Sequence, residues 1–469
     1  MRFWTLLESY PDYETGNRDN DVLGLAAMKL AGTLNYSPLH ADIAKLAVLD
    51  VLLNIDYHRF RPGTFDLEQK MVSSHMRTVF TARDSQSHSH SGYPSEPVLA
   101  EAAMNIVYLQ DLQVPQVAPL SITHSTTPAT PQALDDPIAL MFSSLDDDTS
   151  GAIDMGDRGE NVGKILLLQA YMNAVKESDL DTPWRHGCSV ISFLRHLLVQ
   201  TEETNVECFL PENVMDGMEL KEAFKDSWIR FTHFACGADE SAVTSSMAYA
   251  GFLRGMAVIG CNSSGLADVM IPILLRKDVP ICEDVMSGLL VQFRCRRRPG
   301  LVNAYTMEES DIGFFPPKGS ERDNRTNTAK ETKDLYATRP YITLAMELGV
   351  VPTASSGARA PTGMDGRRHS NSLPHSPSGV TIPGPRNASL EQHPRYSISV
   401  HGCDSDVYRC IPHSNEAAER LRRLPYVGGL LSDHARAYTT EHIRGLKPFW
   451  SAGRACFSWV SDEFLNAEL

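Results

Sequence analysis

Apolar residues recur three and four positions apart between Leu23 and Leu53 (Leu23, Ala26, Ala27, Leu30, then Ile43, Leu46, Ala47, Leu49). That spacing puts them on one stripe and predicts a helical N-terminal region, 1–83. A polar stretch from Asp84 to Gly92 ends it. Ser95-Glu96-Pro97 then opens an amphipathic run from Val98 to Leu109, and the Pro-, Thr- and Ser-rich residues 114–137 read as a linker, so 84–137 is expected to be loops carrying one helix. From Val162 the helical period returns through Ile165, Leu168, Met172 and Val175. Acidic residues between Asp154 and Glu160 precede it, a favourable helix start. Further helices are predicted at Val190–Val199, at Glu222–Phe234 with Phe224, Trp228 and Phe231 on one stripe, and at Ala242–Met256.

The pattern then changes. Ala257 to Gly260, Gly265 to Leu275 and Ser287 to Arg294 are short apolar runs of strand length, and Tyr341 to Leu348 reads as a further strand or a short helix. Helices feeding a small sheet predict a mixed α/β core over 138–350. Residues 351–395 are Ser, Pro, Gly, Arg and His with few large apolar side chains. They are expected to be a disordered linker, because such a composition cannot offset the entropy of ordering. Alternation resumes at Tyr396-Ser397-Ile398-Ser399-Val400 and opens a C-terminal α+β segment, 396–469, in which Trp450 and Trp459 are expected to anchor a core.

Composition narrows the class of partner. The net charge of −15 on 469 residues opposes general nucleic-acid binding, so a polyanion site has to be a local basic patch, and the run Arg294, Arg296, Arg297, Arg298 is the candidate. Nine scattered cysteines without a CxxC pair fit reduced thiols in an intracellular protein, cytoplasmic or nuclear. The N-terminus turns polar at Glu8, which argues against a secretory signal, and no apolar run is long enough to cross a membrane.

Two adjacent predicted strands hold the most specific chemistry. Asp268 enters the first, and Gln292 and Arg294 lie two apart, hence on one face, near the end of the second. A divalent ion can activate the water that cuts a phosphodiester, and hard Mg²⁺ takes carboxylate and carbonyl oxygens. Asp268 and Gln292 are candidate ligands, Glu160 on the long helix a candidate third, and Arg294 is placed to contact the phosphate. These positions resemble the restriction-endonuclease-like PD-(D/E)XK superfamily, whose pattern is a helix-borne Glu, an Asp at a strand start and (Glu or Gln)-x-Lys on the next strand. The resemblance spans about residues 158–295. It implies a nuclease-like core, Mg²⁺ and catalytic roles for Glu160, Asp268, Gln292 and Arg294. Arg294 departs from it, since lysine can lose its proton beside an attacking water and arginine can only bind phosphate as a fork. An active nuclease, a degenerate one that binds without cutting, and an unrelated scaffold all remain open. The segments Pro94 to Glu101, Arg158-Gly159-Glu160, Arg230 to Phe234 and Arg339 to Ile342 are also similar to segments of a large protein family from mushroom-forming fungi, a likeness that implies no activity by itself.

A second chemistry competes. Asp146 to Asp157 matches a calcium loop of EF-hand type, with oxygen-bearing residues at positions one, three, five and nine and Gly151 at six, but Asp157 stands where a bidentate Glu is usual. This supports the alternative of a non-enzymatic interaction protein that responds to Ca²⁺. His88 and His90 form an HxH in a Ser/His loop that reads as solvated. His233, beside Phe231 and Phe234, reads as a satisfied, partly buried histidine.

Overall fold

The computed structural model describes residues 15–32, 42–55, 64–81, 90–112, 155–177, 183–200, 205–214, 217–237, 243–260, 267–294, 339–349, 379–381 and 393–411. Helices α1 (Thr15–Ala31), α2 (Asp42–Leu53), α3 (Thr64–Ser74) and α4 (Pro97–Leu112) build the N-terminal layer, with a ribbon of β1 (Thr78–Thr81) and β2 (His90–Gly92) between α3 and α4. Leu30, Leu46, Leu49, Leu52 and Met104 are buried there, as the helical period requires. A charged group is enclosed with them. Asp50 on α2 pairs with Arg77, which also donates to Ser91 and Glu68. Burial pushes the Asp50 carboxyl up to about 6, although Arg77 works in the other direction.

The long helix α5 (Met155–Val175) is followed by α6 (Pro183–His186), β3 (Cys188–Ser189) and α7 (Val190–Leu197). Ser189 caps α7 by accepting from the Ser192 amide at 3.1 Å. Next come α8 (Leu220–Ala223), β4 (Trp228–Ile229), β5 (His233–Cys236), α9 (Ser245–Arg254), β6 (Met256–Ile259), β7 (Val269–Leu274), β8 (Met286–Arg294), β9 (Tyr341–Glu347), β10 (Gly379–Thr381) and β11 (Arg395–His401). The sheet runs β10-β11-β9-β8-β7-β4-β3, with β6 also on β7 and β5 on β6. The pairs β8–β9, β9–β11 and β5–β6 are parallel, and the rest are antiparallel. Mixed α/β is therefore the fold class.

Strand alternation divides the sheet into two faces. Ile271, Val291, Phe293, Leu344 and Val400 share one core with the apolar stripe of α5, and Gly163 lets that helix come close: a Cβ there would lie 2.2 Å from the Phe293 ring. Met270, Leu274, Leu290 and Tyr341 point the other way and pack with Ala248 and Phe252 of α9. The result is helix, sheet, helix.

Three expectations need correction. Glu222–Phe234 is not one helix: α8 stops at Phe224, and Trp228-Ile229 and His233–Cys236 are strands. The run Trp228-Ile229-Arg230-Phe231-Thr232-His233-Phe234 is aromatic and β-branched, and pairing with β7 and β6 outweighs the helical spacing of Phe224 and Phe231, both still buried. The stretch read as a disordered linker contains β10. Finally, β11 is not a separate C-terminal part but lies parallel to β9 inside the main sheet, within one unit spanning Met1–Pro425.

Candidate functional site

Asp268 sits just before β7 with its backbone fixed at both ends: its N–H donates to the Val291 carbonyl and its carbonyl accepts from the Gly260 amide, both at 2.9 Å. Val269 pairs with Val291 in antiparallel register, so Asp268 stands beside Gln292. Local alternation and pairing thus bring Asp268, Gln292 and Arg294 to the same end of β8. This was legible in the sequence. What the side chains do there was not.

One oxygen of Asp268, Oδ2, accepts from the Phe293 amide at 2.5 Å and faces Nη1 of Arg294 at 3.4 Å. The carboxylate continues the ladder past the end of β7. Burial raises its pKa, and the Phe293 N–H and the Arg294 charge pull it the other way. Arg294 Nη1 also donates to the Phe293 carbonyl at 2.9 Å, which folds the guanidinium back across the strand end. Both partners of the ion pair remain partly open, at 29% and 27% side-chain exposure. Gln292, in contrast, is buried. Glu160 lies on α5, which packs through Gly163 on Phe293, the face opposite the one to which Gln292 and Arg294 point.

These donors are a poor match to Mg²⁺. An octahedral ion at about 2.1 Å from Asp268 Oδ2 would displace both present partners of that oxygen, and one bound to the other oxygen would sit beside the positive charge of Arg294. The guanidinium already supplies part of the compensation that an ion would bring. Among the described residues no three His, Cys, Asp or Glu side chains are grouped as metal ligands. Arg296, Arg297 and Arg298 of the basic run, most of the calcium loop (146–154), His88, and the tryptophans 450 and 459 lie outside the described residues.

The strands next to β8 carry polar groups that the sequence reading passed over. Arg294 pairs in register with Glu347 of β9, and Glu347 with His401 of β11. Glu347 is fully buried and accepts from His401 Nδ1 at 2.8 Å. Their signal was available: Thr343 and Glu347, then Arg395, Ser397, Ser399 and His401, alternate with apolar positions along their strands. At the opposite end of β11 the Asn213 amide oxygen accepts from the Arg395 N–H at 2.8 Å, and Ser397 donates to Glu212 at 2.7 Å. His233 is buried and hydrogen-bonded, as expected of it. The six described cysteines are free thiols. No described helix is long and apolar enough to cross a membrane.

No protein-family model, no curated protein and no solved structure matches the chain.

Proposed function

We propose that the chain is a restriction-endonuclease-like scaffold in which an internal ion pair stands where a metal centre would be, and that it binds nucleic acid without cutting it. The observation that carries this reading is the Asp268–Arg294 contact, made while the Asp268 carboxylate caps the Phe293 amide. The order of parts supports it: a long helix, an acid at a strand entry and Gln-x-basic on the antiparallel neighbour. So does the exposure of Arg294, whose remaining N–H groups bond no described residue and can fork onto a phosphate. Against a net charge of −15 such binding is weak and salt-sensitive.

Fluorescence anisotropy with labelled single- and double-stranded oligonucleotides at low salt tests the reading, with denaturing gels run in Mg²⁺ and Mn²⁺ alongside. The expected result is binding that falls at least tenfold in Arg294→Ala, survives in Arg294→Lys, and leaves every oligonucleotide intact. Metal-dependent cleavage that disappears in Asp268→Ala would overturn the non-cutting assignment. Absence of binding at low salt would overturn the nucleic-acid reading.

A further inference from the structure

Two segments singled out in the sequence, Pro94 to Glu101 and Arg230 to Phe234, meet in space. Ser95 lies two residues before the start of α4, and His233 opens β5. Ser95 Oγ lies 2.9 Å from His233 Nε2. On the far side of the ring, Nδ1 lies 3.1 Å from Thr232 Oγ1, and that hydroxyl donates to the Gly255 carbonyl at 3.2 Å. A hydroxyl has one proton. With it committed to Gly255, Thr232 can only accept from Nδ1–H, so the neutral imidazole keeps its lone pair on Nε2, directed at the Ser95 hydroxyl. The histidine is enclosed while Ser95 is half-buried and reaches the surface beside Arg254. Arg254 donates from Nε to Ser95 Oγ at 3.3 Å and from Nη2 to the Ser95 carbonyl.

We infer that Ser95 and His233 form a nucleophile–base pair that takes an acyl group from a carboxylic ester, with Thr232 as a positioning residue. In the first step Ser95 Oγ bonds to the ester carbonyl carbon while its proton passes to Nε2. Arg254 faces the negative charge that develops on the carbonyl oxygen. The bond to the alcohol oxygen then breaks, and the alcohol leaves with the proton from Nε2. Water attacks the acyl-Ser95, Nε2 relays its proton to Ser95 Oγ, and the carboxylic acid departs. Burial, with Arg254 and Arg230 nearby, holds His233 down to about 4. It therefore stays neutral at physiological pH, but as a weak base it suits activated esters over stable ones.

The test treats the full-length protein with a fluorophosphonate, which phosphonylates a reactive serine with loss of fluoride, and locates the adduct by peptide mass spectrometry. The adduct is expected on Ser95, absent in Ser95→Ala, and formed at least tenfold more slowly in Thr232→Val, which keeps the side-chain shape and removes the acceptor at Nδ1. Circular dichroism of each variant separates lost reactivity from lost folding; loss of a purely structural hydrogen bond would lower stability and leave the labelling rate of the folded protein unchanged. A folded wild-type protein with no label on Ser95, or labelling of folded Thr232→Val at the wild-type rate, overturns the assignment.

Discussion

At the scale of single residues, the chain shows two ways of handling an ionisable group drawn away from water. Asp268 sets one oxygen against a peptide N–H and a guanidinium, which oppose the rise that burial imposes on its pKa without cancelling it. His233 avoids charge altogether. Its folded value of about 4 lies below the ordinary 6.5, so the neutral ring is the form that folding favours. The stability this contributes is complete above pH 6.5 and drains away as pH falls towards about 4; by pH 4.5 the loss amounts to roughly 2–3 kcal/mol. Urea unfolding of wild type and His233→Gln at pH 7 and pH 4.5 measures it: the wild type should lose that much more than the variant, and equal losses would contradict the account. The histidine's enclosure was readable from Phe231 and Phe234 beside it. Its partner Ser95 was not, because 138 residues separate them and only the fold brings α4 to β5. Asp268, Gln292 and Arg294 were readable as neighbours because strand alternation is local. The ion pair depends on side-chain direction at a strand end, which no periodicity encodes.

At the scale of elements, helices α2 and α5 were legible because their apolar stripes are long, and the Glu222–Phe234 helix was misread because aromatic residues three and four apart fit short strands joined by a turn equally well. Contacts between elements carry specific costs. Replacing Gly163 by alanine puts a methyl into the Phe293 ring at the junction of α5 and β8. About 1–3 kcal/mol of destabilisation is expected from such overpacking, read as a lower denaturation midpoint. Lys164, one residue on, is buried and donates to the carbonyls of Leu53 at 2.9 Å and Asn54 at 3.3 Å, closing the C-terminal end of α2. Lys164→Met keeps the hydrocarbon stem and leaves those carbonyls without this donor. It should cost about 1–3 kcal/mol, and hydrogen exchange should show the loss concentrated in the last turn of α2; protection unchanged there would contradict the capping role.

At the scale of the whole molecule, the main sheet is closed by strands that the sequence assigned to other parts of the chain. Parallel pairing of β11 with β9 joins partners 54 residues apart, and the composition between them gave no hint of it. A fragment ending at residue 350 would leave β9 as an exposed apolar edge, and such edges aggregate. It should fail to unfold cooperatively, whereas a sharp wild-type-like transition would show that β11 is dispensable. The central claim is that Arg294 holds the place at Asp268 that a divalent ion would otherwise take. Calorimetric titration of Mg²⁺ into wild type, Arg294→Ala and the Asp268→Ala/Arg294→Ala double variant tests it most directly. The account predicts no binding heat in the wild type, weak one-site binding once Arg294 is removed, and its loss in the double variant; one-site binding to the wild type that vanishes in Asp268→Ala would contradict it.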